Sequence, residues 1–207
     1  DTRMSGDIPV LPLGYTLVPA GKVATLVTCL EMSAPPPARP AKASPAFTLK
    51  RWEKPSLDAY RALFRRIGEQ WMWISRLVMD DGELHAILDS DAVEFYLLMD
   101  GGREAGLLEL DFREPGQCEL AFFGLVQEAI GHGAGRFLMD RAIAKAWEKP
   151  ISRFWVHTCH LDHPAALDFY RRSGFTPYAM MIEVMDDPRL TGLSPREISP
   201  HVAIIEP

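Results

Sequence analysis

No apolar run in this 207-residue chain approaches the roughly 20 residues needed to cross a bilayer, so no membrane-spanning helix is expected. Residues Asp1 to Pro12 lack a basic head followed by an apolar stretch, and no secretory signal is read there. Cysteine is scarce: Cys29, Cys118 and Cys159 are odd in number and widely spaced. That argues against a disulfide framework and for reduced thiols in a cytoplasmic protein. Positive charge is also short, with 22 Lys and Arg against 28 Asp and Glu and a formal net charge of −6. A nucleic-acid binder would carry a basic stripe, so no nucleic-acid partner is expected. The acidic excess is compatible with a cationic acceptor. Internal repeats are absent. What is present is an ordinary globular balance, 47% hydrophobic and 24% charged, in a chain long enough for one domain with a real core plus an extension.

The stretch SAPPPARPAKASPA, about residues 33 to 46, carries prolines at 35, 36, 37, 40 and 45 and reads as a linker. Before it, YTLV and VATLVTCLEM belong to an N-terminal arm too short to bury a core of its own, and expected to pack on the main domain. The expected organisation is therefore an arm and linker over 1–46 and a single globular domain over 47–207. Within that domain FTLKRW (47–52) reads as a strand. Ser56 ahead of Leu57, Tyr60, Leu63, Phe64 and Ile67 predicts a capped amphipathic helix. A second short helix is expected at roughly 75 to 88. Ala92–Met99, Ala105–Phe112 and Cys118–Val126 read as strands separated by Asp100-Gly101-Gly102 and Pro115-Gly116, an antiparallel meander.

Beyond the meander, helices at 133–148 and Pro164–Ser173 alternate with strands at Ser152–Cys159 and Tyr178–Val184. A meander feeding a parallel crossover predicts an α+β fold. Its centre is a mixed, mostly antiparallel sheet with helices on its faces.

The segment FGLVQEAIGHGAGRFLMDRAIAKAW (123–147) sets Gly131, Gly133 and Gly135 where a strand gives way to a helix. Glycines let the backbone approach a ligand, and a helix N-terminus offers unpaired N–H groups and a positive dipole end, which together suit a pyrophosphate. A P-loop would need Lys-Ser/Thr where Arg136-Phe137 stands. A dinucleotide fingerprint would need G-x-G-x-x-G and an acidic residue ending the next strand, which here ends in Cys159-His160. A plain tight turn is the competing structural reading.

The stretch resembles the acetyl-coenzyme A motif of the GNAT acetyltransferase superfamily, Q/R-x-x-G-x-G/A after an apolar strand. Gly133 and Gly135 take the small-residue positions, and Ile130 stands where the family usually has Gln or Arg. LDHPAALDFYRRSGFTPY (161–178) resembles the family's second signature, N-x-x-A-x-x-x-Y followed by x-x-x-G-F. Ala166, Tyr170, Gly174 and Phe175 match it, with His163 in place of Asn. The resemblance covers about 47 to 185. It implies a GNAT-like fold with helices on both faces of the sheet, and transfer of an acetyl group from acetyl-coenzyme A to an amine through a ternary complex, without a metal. It also implies coenzyme A contacts from Phe123, Leu125, Val126, Ile130, Gly131, His132, Gly133, Ala134, Gly135, Arg136, His163 and Ala166. An oxyanion-stabilising backbone N–H is expected near Phe123 to Leu125, where the family strand bulges. The acceptor is a small molecule or peptide amine, and members often form homodimers. The alternative is a non-catalytic module on the same scaffold that binds coenzyme A.

Glu119 is the candidate base. By strand alternation it shares a face with Ala121, Phe123 and Leu125, where an apolar setting would raise its pKa. Its place six residues before Leu125 resembles that of the catalytic glutamate in some GNAT enzymes. Glu109 and Asp111 are substitutes, and water could connect any of the three. Tyr170 is the implied acid at the coenzyme A sulfur. Trp71 and Trp73 resemble the region walling the family's acceptor pocket, with core packing or a dimer contact as the bland reading. His157, Cys159, His160, Asp162 and His163 crowd together, but alternation turns His157 and Cys159 away from His160, so no metal is expected.

Overall fold

The computed structural model describes residues 8–37, 40 and 47–207; residues 38, 39 and 41–46 of the proline-rich stretch lie outside them. Seven strands and five helices follow in the order β1 (Lys22–Met32), β2 (Phe47–Arg51), α1 (Leu57–Gly68), α2 (Ser75–Val78), α3 (Asp81–Leu88), β3 (Val93–Asp100), β4 (Arg103–Asp111), β5 (Gln117–Leu125), α4 (Ala134–Trp147), β6 (Arg153–Cys159), α5 (Ala166–Arg172) and β7 (Thr176–Asp186). The sheet runs β2-β3-β4-β5-β6-β1-β7. Neighbours are antiparallel except β5 and β6, which are parallel because the α4 crossover returns the chain in the same direction. The mixed, mostly antiparallel sheet expected from the sequence is present.

Local chemistry sets the helix boundaries. Ser56 Oγ accepts the Ala59 N–H at 3.3 Å and starts α1. The single helix expected at 75 to 88 is instead two. Met79 is extended, and Asp80 begins afresh, its carboxylate accepting the Glu83 N–H at 2.9 Å. A second competent N-cap inside an apolar pattern divides it.

The segment expected to lie on the domain as an arm supplies β1, an interior strand paired with β6 from Val27 to Met32 and with β7 from Lys22 to Glu31. Val23, Val27, Cys29, Leu30 and Met32 are all buried. An almost uncharged β-branched run is what a strand covered on both faces requires, and the sheet takes it up. A boundary at residue 46 therefore does not coincide with an edge of the sheet. Ahead of β1, the exposed segment 8–20 stays outside the sheet.

The two faces carry different helices. Tyr60 and Phe64 of α1 pack on Phe95 and Phe122, whereas Phe169 and Tyr170 of α5 pack on Phe123 from the other side. After β7 the chain turns on a buried ion pair. Arg189 holds Asp187 at 2.7 Å and donates to the Val202 carbonyl at 2.8 Å. The Gly21 N–H reaches the Ile205 carbonyl at 2.8 Å, closing the tail against the start of β1.

Candidate active site

The parallel ladder between β5 and β6 contains only Gln117–Arg153, Cys118–Phe154 and Glu119–Trp155. Beyond Glu119 the strands part. β5 continues to Leu125 beside β4, and β6 continues to Cys159 beside β1. On the side facing this fork, β5 from Leu120 to Leu125 has no partner strand among the described residues, which leaves backbone groups free for a ligand. A crevice at the carboxyl ends of neighbouring parallel strands is the general ligand position in such sheets.

The register changes the expected placement of Glu119. Leu110 faces Leu120 while Glu109 faces Phe122, so Ala121 is an extra residue in β5. A bulge of this kind breaks the two-residue period. Glu119 therefore shares its face with Asp111, Glu109 and Phe122, toward α1 and α2. Phe123 and Leu125 point to the opposite face, toward α4 and α5. The shared face predicted for Glu119, Phe123 and Leu125 is corrected: simple alternation cannot see an inserted residue. The bulge lies at Ala121, ahead of the Phe123–Leu125 stretch where it was expected.

Three carboxylates meet on the α1 face, and two are already neutralised. Glu109 is wholly buried, accepts from Arg76 Nη2 at 2.6 Å and takes the Tyr60 hydroxyl at 2.5 Å. The Arg76 guanidinium also lies 5.1 Å over the Phe122 ring, and the carboxylate holds its pKa up against burial. Asp111 is gripped by Arg113 at 2.6 Å and 2.9 Å. Among the described residues no arginine is paired with Glu119, although the Arg76 charge acts on it from a distance; its neighbour is His157 Nδ1 at 3.6 Å. Burial first, then the Asp111 and Glu109 charges, push the Glu119 carboxyl up to about 7. Burial likewise holds the His157 imidazole below its ordinary value, with Asp162 and Glu183 opposing. The two substitutes for Glu119 are thus occupied in ion pairs, and Glu119 is the carboxylate poised to exchange a proton near neutral pH. Arg76→Met should cost roughly 3–5 kcal/mol by stranding the Glu109 charge. A urea midpoint measured at pH 8 checks this; an unchanged midpoint would mean the pair is not holding α2 to the sheet.

At the other end of β5, a 3-10 turn (Gln127–Ala129) leads through Ile130 to Gly131, His132 and Gly133, all three exposed. Gly131 and Gly133 have φ of 88° and 83°, and at Gly133 no side chain caps α4. A left-handed residue at the helix start turns successive N–H groups outward, and glycine adopts it without strain. The first backbone donor of this stretch with an acceptor among the described residues is Phe137, to Gly133 at 3.1 Å. The amides of Gly131 to Arg136 have no acceptor there. Ala134 and Val126 are buried and anchor the turn, and Gly135 lies beside Leu125 and Phe169. Arg136 turns its side chain to the Pro40 carbonyl at 3.1 Å and toward Asp140. Unpaired amides in an exposed turn at a helix N-terminus fit a diphosphate.

Tyr170 is buried between Phe123, Phe169 and Phe175, and burial raises its pKa strongly, so its phenol keeps its proton. Ala166 opens α5 next to it. Trp71 and Trp73 are brought to the fork. Trp73 packs on Phe64 and Phe122 and reaches across to Asp162, donating from Nε1 at 3.1 Å. The Trp73 ring lies so close over Gly124 that an added Cβ there would stand 2.7 Å from it, so only glycine fits under the indole. Trp71 meets His163 edge-on at 5.3 Å. His163 Nδ1 accepts the Ala165 N–H at 3.0 Å.

Sequence reading missed Arg76, Asp162 and Gln127. Asp162 was weighed only as a metal ligand. Its oxygens instead accept from Trp73, from Thr158 Oγ1 at 2.7 Å and from the Cys159 N–H at 2.9 Å, a side-chain turn at the strand end. Gln127 accepts from Gln70 at 2.8 Å, tying the tryptophan segment to the glycine turn. An aspartate three residues past a strand is a recognisable turn signal; the Arg76 and Gln70 pairings join distant segments and carry no local one.

The sequence model of the acetyltransferase (GNAT) family matches residues 50–175, more than half of the chain. No curated protein matches it. Among solved structures, a GNAT-family protein from Novosphingobium aromaticivorans superposes with a TM-score of 0.55 at 18% identity, over 82% of this chain and 68% of that one. An aminoglycoside acetyltransferase from an uncultured soil metagenomic sample gives 0.51 at 16% identity, over 63% and 88%. An IAA acetyltransferase from Bacillus cereus gives 0.50 at 18% identity, over 65% and 79%. At these identities the likeness is one of fold.

Proposed function

This chain belongs to the acetyltransferase (GNAT) family, and on that premise we propose that it moves an acetyl group from acetyl-coenzyme A directly onto a primary amine within a ternary complex. The observation that carries the reading is one fork served by two things at once: the open amides at the start of α4 and a carboxylate of pKa about 7 on β5. Acetyl-coenzyme A, when bound, supplies the activated acetyl group as a thioester. The amides of Gly131 to Arg136 hold its diphosphate, with Ile130, His132 and Val126 shaping the turn and His163 and Ala166 bordering it. The fork-facing side of β5 from Phe123 to Leu125, opposite its pairing with β4, lines up the rest of the donor and gives an N–H to the charge that develops on the acyl oxygen.

Glu119 takes the proton of the attacking ammonium. With Ala121 bulged, Glu119 and Phe123 stand opposite Asp111 and Leu108, three steps or about 10 Å of strand at 3.3 Å per residue, so the proton travels through water in the fork. Tyr170, protonated across the physiological range, gives its proton to the departing thiolate. Trp71 and Trp73 wall the acceptor side, and the tie of Trp73 to Asp162 fixes its width. Residual carboxylate at the fork (Glu119, Asp162) favours a cationic amine, small or at a peptide end. The free thiols of Cys29, Cys118 and Cys159 are consistent with a cytoplasmic enzyme. No helix among the described residues is long and apolar enough to cross a membrane.

The test is thiol release from acetyl-coenzyme A over a panel of primary amines: a diamine, an aminoglycoside, an amino-acid amide and a lysine peptide. Amine-dependent release is expected. Heat of coenzyme A binding without release from any of them would point to the binding-module alternative. Tyr170→Phe should lower kcat by about 10- to 100-fold with KM for the amine little changed, the signature of a group acting only in the transition state. An unaltered kcat removes Tyr170 from the acid role.

A further inference from the structure

The family match stops at residue 175, so nothing in it accounts for the chain beyond β7. That chain is folded into a rigid loop around Arg189. The guanidinium holds the Asp187 carboxylate and gives hydrogen bonds to the Ser199 and Val202 carbonyls at 3.2 Å and 2.8 Å. The Leu190 and Thr191 N–H groups return to the Asp187 carbonyl, and the Ser194 N–H to that of Pro188 at 3.0 Å. Both charged side chains of the central pair are 1% exposed, so the loop does not come apart without stranding a buried charge. A long-range bond ties it to α1. Arg65 Nη1 donates to the Leu193 carbonyl at 2.7 Å, and Glu69 stands 3.6 Å from the same nitrogen.

The strand directions say where this loop lies. β7 is antiparallel to β1 and β1 to β6, so β7 runs with β6 and finishes at the end of the sheet where β5 and β6 part. α1 advances along β5 toward that same end, with Tyr60 at Glu109, Phe64 at Phe122 and Ile67 over Gly124. It lies on the Glu119 face, and Arg65 therefore draws the loop to that face. On the floor between them Glu119 is recessed, its side chain 26% exposed, beside a His157 side chain that is 47% exposed. Trp71 and Trp73 follow directly on α1.

We propose that the C-terminal loop 187–202, latched by Arg65, is the outer wall of the acceptor side, facing Trp71 and Trp73, and that it restricts the acceptor to a small free amine. The proposal rests on the acetyl-transfer reading above and narrows it. A lysine has only a four-carbon stem, so for one in a folded protein to reach Glu119 the surface around it would have to enter the cleft. A wall held by a buried ion pair and by a bond from a charged donor does not swing aside for it. A small diamine brings no such surface, and the wall keeps its chain between indole and loop. Selectivity of this kind comes from the collision built against the wrong acceptor. Arg65 is a positioning residue: it touches the loop, and its charge is offset by Glu69.

The experiment compares thiol release from acetyl-coenzyme A with 1,5-diaminopentane and with folded ubiquitin as acceptors, using the full chain. Wild type should favour the diamine by about 100-fold or more in kcat/KM. Arg65→Ala should raise KM for the diamine about 5- to 10-fold with kcat little changed, and cut the diamine-to-protein preference about tenfold. Arg65→Lys, which can still donate to the Leu193 carbonyl, should recover most of both. A purely structural role would lower the melting temperature and leave the preference alone. A wild type that acetylates ubiquitin as readily as the diamine, or a preference unmoved in Arg65→Ala, would overturn the wall. Silence with every amine would count against acetyl transfer itself, and the loop is then judged by thiol labelling. Cys159 is half-buried on the His157 face, whereas Cys29 and Cys118 are buried. Its reaction with a disulfide reagent, well below the melting temperature, should quicken about tenfold in Arg65→Ala as the loop is released. An unchanged rate would mean that the loop does not cover the fork.

Discussion

Glu119→Gln is expected to lower kcat/KM for amine acetylation by about 10²–10⁴-fold, the usual contribution of a positioned general base. The expectation rests on elimination within one cluster. Glu109 and Asp111 lie on the same face but already accept from Arg76 and Arg113. Making Glu109 a base would mean breaking a buried ion pair each turnover, and making Asp111 one would mean breaking its two-point contact with Arg113. Glu119 faces only the weak His157 contact at 3.6 Å and is held near 7 by burial and by those two neighbouring charges. In the wild type kcat/KM should fall about tenfold per pH unit below 7, as the carboxyl protonates, and level off above, apart from ionisation of the amine itself. Glutamine removes that limb of the profile.

Stability should move the other way, which separates catalysis from folding. The folded-state pKa is above the unfolded one, so the unfolded chain releases this proton first, and ionisation of Glu119 weakens the fold progressively between about pH 4.5 and 7. Glu119→Gln should therefore melt higher than wild type at pH 8, with the difference vanishing near pH 4. A variant that keeps more than about a third of wild-type kcat/KM at pH 8 would place the base elsewhere.

Legibility followed the range of the signals. The meander, the crossover, α1 and α5 are written in periodicity and caps within a dozen residues, and the glycine turn is written in three residues with room around it. The bulge at Ala121 is not, because an extra residue in one strand leaves no trace except in the pairing with another. It decides on which face Glu119 stands, so the residue was found and its neighbours were misassigned. The same holds for Trp73: its place over Gly124 and against Asp162 depends on segments 51 and 89 residues away. The family match spans 50–175 and so supplies the last two residues of β2, all of β3 to β6 and all five helices, while β1 and β7 come from its two flanks. Sequence resemblance therefore had little to say about the end of the sheet.

Removing residues 1–32 should abolish cooperative folding, although the whole of the family match would remain. β7 pairs with no strand but β1, so its loss releases two strands of seven. Cys29 and Leu30 are 0% exposed, and Leu30→Ala alone should cost about 2–5 kcal/mol. Against a total of roughly 5–15 kcal/mol, losing the five buried apolar side chains of β1 and its two ladders exceeds what a domain of this size can spare. β6 would become an edge beside the fork, and the His157 side of the site would lose the strand that positions it through Cys29. Removing only residues 1–20 takes nothing from the sheet, and its melting temperature should stay within a few degrees of wild type. Circular dichroism melts of the two truncations decide the matter. A cooperative transition from the fragment that begins at residue 33 would mean that the sheet closes without β1, and that the arm-and-domain boundary read from the prolines is a folding boundary after all.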